Sequence, residues 1–213
     1  RLMNSSLLLV IAAVAAAAVV WRFTLWRALL VFAPSSVRIE PEDPPGQAKL
    51  PPPLPKLAAE LQALGFVPLG THSERPPLGP QTLCFDFVHP GDRTFVTAWL
   101  TGDDMPRFYF LTMLAGDGFI ITANHRRAAR AIDGHYLSGG LENVSPDRLF
   151  KAHVRLLDGR APSGDLTLEG RVAAARAWYA GPGRAEVRLQ NFHGLLWSVG
   201  TLGMVAAAIL ANR

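Results

Sequence analysis

Two long uncharged runs dominate the hydrophobic pattern of the chain. The first covers residues 2–20 with three polar side chains, and the second covers residues 192–210 with His193 as its one ionisable group. At about 1.5 Å per residue, a helix of either length nearly spans a hydrocarbon core about 30 Å thick. A cleaved signal sequence has a shorter apolar core, and the second run favours a retained anchor over cleavage. The pattern therefore predicts two membrane-spanning helices that form a hairpin.

Aromatic and basic residues follow the first run. Trp21, Arg22, Trp26 and Arg27 combine rings that prefer the membrane interface with long cations that reach the headgroups. We predict that these residues anchor the helix at the interface and that the helix continues to Pro34. Arginines are concentrated on the side of both runs that faces the middle of the chain, so the positive-inside rule predicts a cytoplasmic domain with both termini outside. We expect the membrane to be a bacterial inner membrane.

Small residues on both runs offer faces for close helix packing. They are Ala15 and Ala16 in the first run, and Gly200, Gly203 and Ala207 in the second. These residues allow either the two helices of one chain to pack on each other or each helix to pack on a partner. The sequence leaves both alternatives open. Neither run carries an acidic residue or a basic residue at mid-depth, so the pattern does not indicate an ion or proton pathway.

Between the runs, the pattern predicts a stalk and an antiparallel sheet. Residues 34–55 contain PEDPPG and PPPLP, and proline at this density predicts an extended, semi-rigid stalk, with a polyproline ligand as the alternative. Apolar and polar positions then alternate between turn sequences such as HPGDR, TGDDMPR and AGDG. Short links of this kind imply a meander of about four or five antiparallel strands. The predicted strands are FVPLGTH, TLCFDFVH, RTFVTAWL, RFYFLTML and FIITANH.

Segments with apolar residues at helical spacing lie before and after these strands in the chain. KLAAELQALGF comes before them, and SPDRLFKAHVRLLDG follows with Ser145 as its cap and Gly159 at its end. A further helix is predicted at residues 166–179. The sum is an α+β domain with helices over one sheet face. We divide the chain into an N-terminal transmembrane helix in 1–33, the stalk in 34–55, the domain in 56–183 and a C-terminal transmembrane helix in 184–213.

Composition excludes several kinds of site. The chain has 213 residues, a net charge of +4 and a single cysteine, Cys84, which rules out an internal disulfide and a multi-cysteine metal site. Because Cys84 lies in an alternating strand, we predict an inert thiol. The sequence has no Walker loop and no GxGxxG, HExxH or GxSxG motif. We therefore predict no catalytic residues, no metal and no cofactor.

The strongest candidate for a binding surface is the basic segment NHRRAARAIDGHY. It concentrates His125, Arg126, Arg127 and Arg130 just after a predicted strand, where they can contact anionic lipid, a phosphorylated ligand or an acidic partner. A solvated sheet edge is the plain alternative. Nucleic acid is not predicted as a partner, because the aromatic residues of the domain fall on strand positions that a core would use.

Three functions fit these observations. The leading hypothesis is a non-catalytic accessory or scaffolding subunit of a larger membrane assembly, whose partners are the bilayer and other membrane protein subunits or copies of itself. The second is a membrane-tethered sensory or ligand-binding domain. The third is an enzyme that acts on a lipid or membrane-adjacent substrate, and the residues to test for it are His125, Asp133, His135 and His153.

Overall fold

A computed structural model of the chain describes residues 5–132 and 134–210. In this part the chain forms two compact units. The helix-pair unit comprises the residues up to Arg38, the segment Arg75–Gln81 and the residues from Tyr179 onward. The sheet unit comprises Ile39–Glu74 and Thr82–Trp178.

Five α-helices and eight strands occur in the described residues. The helices are α1 (Ser5–Phe32), α2 (Leu54–Ala63), α3 (Pro146–Leu157), α4 (Leu168–Ala180) and α5 (Arg184–Leu210). The strands are β1 (Arg38–Pro41), β2 (Val67–Arg75), β3 (Thr82–His89), β4 (Thr94–Leu100), β5 (Pro106–Leu114), β6 (Gly118–Ala123), β7 (Arg130–Ile132) and β8 (Tyr136–Gly140).

Helices α1 and α5 are long and apolar enough to cross a membrane. The qualifying segments are Val10–Phe32 and Arg184–Leu210, each with a mean hydropathy of 1.6 in its most apolar window. Only 17% of each window is buried within the chain, whereas the core helix of a soluble domain is mostly buried. The prediction of two such apolar helices is confirmed, and the first ends at Phe32, just before Pro34 as expected.

Polar side chains hold α1 and α5 together. The indole Nε1 of Trp21 donates to Thr201 Oγ1 at 2.7 Å, and the hydroxyl oxygens of Thr24 and Ser198 lie 3.0 Å apart. In an apolar surrounding, hydrogen bonds of this kind between helices contribute about 0.6–2 kcal/mol each. These contacts define a polar seam along one side of each helix.

A glycine allows the two backbones to approach at one end of the seam. A Cβ atom added at Gly194 would lie 2.3 Å from Cβ of Arg27 and 3.1 Å from the carbonyl oxygen of Thr24. Both of these atoms are fixed to the backbone of α1, so a side chain at Gly194 would push the helices apart. By contrast, a Cβ atom added at Gly200 would meet nothing within 4 Å.

The sheet unit is built on one mixed sheet with the order β1-β2-β3-β4-β5-β6-β8-β7. Successive strands from β2 to β6 pair antiparallel, as the short turn sequences predicted. Strand β8 then pairs parallel with β6 and antiparallel with β7. After β6, the chain therefore forms the edge strand β7 first and then turns back to form β8 between β6 and β7.

The α+β class is confirmed, but the predicted sheet of four or five antiparallel strands is wrong, because the described sheet has eight strands and is mixed. Strand β1 lies inside the proline-rich segment, where we expected only an extended stalk. Strands β7 and β8 are short, and β8 ends in Gly139 and Gly140, so neither shows an alternating apolar pattern. Strand β7 and the first residue of β8 lie in the basic segment NHRRAARAIDGHY.

Helices cover both faces of the sheet rather than the single face that we predicted. On one face, Phe85, Val96 and Phe110 pack with residues of α2 and with Leu149 of α3. Because side chains alternate along a strand, Asp86, Thr97 and Tyr109 point to the opposite face. There Arg171 of α4 contacts Thr97 and Tyr109.

Helix α3 has the ends that its sequence predicts. The hydroxyl of Ser145 accepts a hydrogen bond from the Arg148 backbone N–H at 3.4 Å, and Pro146 occupies the first turn. Gly159 follows the helix with φ of 72°, a conformation that glycine adopts without strain. This capping sets the position from which α3 inserts His153 into the core.

Replacing Gly194 by valine should destabilise the helix pair, because the new side chain meets backbone-fixed atoms of α1. We expect Gly194→Val to lower the midpoint of thermal unfolding of the protein in mild detergent. Ala206→Val enlarges an exposed side chain on the same helix, away from both the seam and the small-residue face, and should leave the midpoint nearly unchanged. An equal decrease in both variants would contradict the seam described above.

Candidate functional site

A row of polar side chains crosses the sheet face that α4 covers, and it is the candidate functional site. Strand pairing creates this row, since His72 lies opposite Cys84, and Thr97 lies opposite both Asp86 and Tyr109 on its two neighbouring strands. We call the following set the buried polar cluster: His72 and Glu74 on β2, Cys84 and Asp86 on β3, Thr97 on β4, Tyr109 on β5 and Arg171 on α4.

A bulge in β2 brings this strand into the required register. The pairing of β2 with β3 shifts between Pro68 and Gly70, and the residues beyond the shift pair one-to-one. Gly70 has φ of 136°, and a Cβ atom there would lie 2.7 Å from the carbonyl oxygen of Asp43. Glycine is therefore required at the point that sets the register of His72 and Glu74.

The carboxylate of Asp86 is the centre of the cluster. Its Oδ2 bonds to Nδ1 of His72, and its Oδ1 accepts a hydrogen bond from Thr97 Oγ1 at 2.6 Å. Nε of Arg171 lies 3.4 Å from the same Oδ1 atom. All four side chains are buried, so the charges are compensated within the protein rather than by solvent.

Arg171 places a full positive charge under α4. Its Nε and Nη2 donate to Thr97 Oγ1 at 2.9 and 2.7 Å, and Nη2 also donates to the hydroxyl of Tyr109. Nη1 is buried without a hydrogen-bond partner among the residues described. Burial alone would lower the pKa of Arg171, but Tyr109 and Asp86 outweigh it and raise the pKa, so the guanidinium stays charged.

His72 carries the second positive charge of the cluster. Burial lowers its pKa, but the charge and hydrogen bond of Asp86 outweigh this effect and raise the pKa to about 12. Burial also raises the pKa of the Cys84 thiol to about 11. The imidazole of His72 and the guanidinium of Arg171 thus share two acidic neighbours, Asp86 and Glu74.

Cys84, His72 and Asp86 have the order of a nucleophile, a base and an orienting carboxylate. The thiol, however, is only 3% exposed, and its raised pKa keeps it protonated. A nucleophile must be ionisable and within reach of a substrate. The arrangement as described therefore does not support covalent catalysis.

The sequence analysis missed this cluster, although a local signal was present. HSE in β2 and CFD in β3 each place two ionisable or thiol side chains two residues apart, which puts them on one strand face. Cys84 was predicted only as an inert thiol, and no role was predicted for His72. Arg171 lies in the helix predicted at residues 166–179, but no buried charge was predicted there.

His153, one of the proposed enzyme residues, belongs to the core between α3 and the other sheet face. Its Nε2 and Nδ1 atoms lie 2.9 Å from the hydroxyl oxygens of Thr112 and Thr122, respectively. Thr112 also bonds to Thr94 at 2.8 Å. Burial lowers the pKa of His153 to about 3, so this imidazole is neutral and structural.

His125 lies on the opposite sheet face from His153. Its ring packs edge-on against Trp99, with ring centres 5.5 Å apart. Burial lowers its pKa to about 4, with further contributions from Arg127 and Arg107. His135 is exposed in the turn before β8. The structure thus does not bring these three histidines together, and Asp133 lies outside the described residues.

The other members of the predicted basic surface have different surroundings. Arg126 is exposed, whereas the guanidinium of Arg127 lies 5.1 Å from the Trp178 ring centre and donates to Tyr136 at 3.4 Å. Arg130 is half-buried in β7. Contact of this surface with lipid or an acidic partner stays a prediction.

The four residues predicted to anchor the first helix at the membrane interface also have different surroundings. Trp21 is in the polar seam, while Arg22 is exposed. The guanidinium of Arg27 lies 4.5 Å from the centre of the Trp26 ring, and a Cβ atom added at Gly79 would lie 3.1 Å from that ring. Their role at a membrane interface stays a prediction.

The predicted small-residue faces lie outside the polar seam. Ala15, Ala16 and Ala207 are exposed, and added Cβ atoms at Gly200 and Gly203 would meet nothing within 4 Å. At about 100° per residue, the small residues of α5 face away from its seam. Packing on a partner remains the open alternative for these residues.

A small cleft in the sheet unit is a further candidate for a ligand site. It has a volume of about 130 Å³ and lies between the segment around Pro44, helix α2 and strands β2 and β3. Its lining is mostly apolar and includes Asp86. Pockets for small molecules usually have about 300–1,000 Å³, so this cleft is too small for a typical metabolite.

No protein-family model matches the chain, and no match was found among the curated proteins or the solved structures. The geometry described above is therefore the basis for inferring a function.

Asp86→Asn should strongly destabilise the sheet unit, because it leaves the buried charge of His72 without its carboxylate. We expect a loss of about 3–5 kcal/mol in the free energy of unfolding, measured with urea and tryptophan fluorescence. Asp92→Asn is the matched control, since Asp92 is 37% exposed and pairs with His89 at 3.1 Å. Its loss should stay below about 1 kcal/mol. Equal losses would contradict the central role of Asp86.

Because its pKa is lowered, His153 should make the free energy of unfolding decrease as the pH falls below about 6.5. Its pKa is about 3 in the folded state, whereas an exposed histidine has a pKa of about 6.5. The neutral ring therefore contributes fully above pH about 6.5, and its contribution falls by up to about 1.4 kcal/mol per pH unit below that value. His153→Gln should remove this part of the pH dependence, measured as the free energy of unfolding between pH about 7 and about 4. The exposed-site variant His135→Gln should retain it, and a slope that is unchanged in His153→Gln would refute the assignment.

Proposed function

We propose that the protein is a membrane-anchored accessory or scaffolding subunit that joins a larger membrane assembly through α1 and α5. The supporting observation is the division of each helix into two sides. One side forms the polar seam within the chain, and the other carries exposed apolar and small residues. Because the helices use only one side to bind each other, the other side of the pair is free to bind a partner.

Small residues are suited to this second surface. Lipid tails are as apolar as leucine, so helices associate in a bilayer mainly where their backbones can approach closely. Gly200, Gly203 and Ala207 permit such an approach on α5, and Ala15 and Ala16 permit it on α1. A partner helix that packs on these faces would gain contacts that lipid does not provide.

The sheet unit supports a binding role more than a catalytic one. The thiol of Cys84 is buried away from solvent, and His125 and His153 lie on opposite faces of the sheet. The small volume of the cleft near Pro44 gives little support to a metabolite sensor. A rigid sheet covered by helices is suited to docking on other subunits. We further propose a cytoplasmic location for it, which rests on the arginines that flank the two helices.

The mass of the detergent-extracted assembly tests this proposal. We expect the full chain, extracted in mild detergent from its native membrane, to have a defined mass well above that of one 23.1 kDa chain. Gly200→Val combined with Gly203→Val should release the single chain without lowering its thermal stability. Ala206→Val, also an exposed site on α5 but off that face, is the control and should preserve the assembly. A lone chain from the native membrane would refute the accessory role.

A further inference from the structure

Three donor atoms in the buried polar cluster converge on one point. The imidazole of His72, the carboxylate of Glu74 and the thiol sulfur of Cys84 lie within 4.8 Å of one another. Sulfur, nitrogen and oxygen in this combination suit borderline transition metals, whereas calcium and magnesium prefer oxygen alone. We propose that these three side chains form a binding site for a divalent transition metal, with Zn²⁺ as the expected ion. The proposal is independent of the accessory role.

The spacing of two of these atoms matches a tetrahedral ion. His72 Nε2 and Glu74 Oε1 are 3.4 Å apart, at the long end of the range for a hydrogen bond. Zinc binds nitrogen and oxygen at about 2.0–2.2 Å, so two ligands at a tetrahedral angle are about 3.4 Å apart. An ion between these atoms requires no change in their separation.

Asp86 orients His72 for this role. Ligand histidines usually donate their second ring N–H to a carboxylate, which fixes the tautomer and aims the other nitrogen at the metal. Nδ1 of His72 bonds to Asp86, so Nε2 is the nitrogen that faces Glu74. Thr97 and Arg171 in turn hold the carboxylate of Asp86. His72 is thus held by Asp86, and Asp86 is held by Thr97 and Arg171.

The backbone also holds the ligands in place. His72 and Cys84 lie opposite each other on paired strands, and Glu74 is two residues from His72 on the same strand face. Sites built on strands keep their geometry better than sites built on loops. Little conformational freedom remains to be lost when an ion binds.

Access is compatible with a bound ion. An ion at this site would displace the proton on Nε2 of His72 and the thiol proton of Cys84, and both protons would leave to solvent. The Glu74 side chain is 19% exposed, while His72 is fully buried. The ion therefore reaches the site beside Glu74, and water completes its coordination.

Metal titration of the full chain tests the site. The protein is made without a polyhistidine tag, extracted in mild detergent, stripped with a chelator and titrated with Zn²⁺ or with Co²⁺ as a spectroscopic substitute. We expect one ion per chain and, with cobalt, a thiolate charge-transfer band together with the visible bands of a tetrahedral ion. Cys84→Ser should abolish the charge-transfer band.

Glu74 provides the matched comparison. Glu74→Gln should weaken zinc binding at least about tenfold, whereas Glu60→Gln, on the exposed side of α2, should not change it. Since Cys84 is the only cysteine of the chain, the thiolate band of the unmodified protein with cobalt is a second readout that does not require Cys84→Ser to fold. Added zinc should displace cobalt and remove this band, and Glu74→Gln should need a higher cobalt concentration to develop it.

Three results would overturn the proposal. They are a failure to bind zinc near one equivalent, a cobalt spectrum without the thiolate band, and equal zinc affinities in Glu74→Gln and Glu60→Gln. None of them bears on the mass of the membrane assembly, so the site and the accessory role fail or stand separately.

Discussion

The buried carboxylate of Asp86 is the constraint on which the sheet unit depends. An ionised carboxylate is tolerated in a core only where positive charges and hydrogen-bond donors surround it. Here they come from three elements, with His72 on β2, Thr97 on β4 and Arg171 on α4. Because all of them must be in place at once, this one group couples the register of three strands to the docking of a helix.

The two faces of the sheet bury their polar groups in different ways. The face under α4 compensates full charges, and the face under α3 uses a neutral network of His153 with Thr112 and Thr122. The two histidines respond to pH in opposite directions. The raised pKa of His72 stabilises the fold below pH about 6.5, and this contribution is lost as pH rises towards about 12. The lowered pKa of His153 does the reverse, so the two contributions together favour near-neutral pH.

Local patterns predicted the apolar helices and the antiparallel strands well, since β3 was predicted over its described length, Thr82–His89. Strands β7 and β8 could not be found in this way, because their short sequences, RAI and YLSGG, lack a clear alternation of apolar and polar residues. The cluster was missed for a related reason. In a sheet with one solvated face, polar alternate positions face water, but here α4 covers that face. From alternation alone, a polar residue such as Asp86 therefore has the pattern of a surface residue, and its contact with Arg171 appears only in the folded structure.

The distance along the chain between Asp86 and Arg171 has a consequence for biosynthesis. A ribosome delivers β2 to β6 well before it delivers α4, so the growing chain can form the meander but cannot yet supply the guanidinium. During this interval, water must stay beside the carboxylate, and the meander remains open on the face that α4 later covers. Completion of the sheet unit therefore waits for translation of α4, immediately before the apolar helix α5 leaves the ribosome.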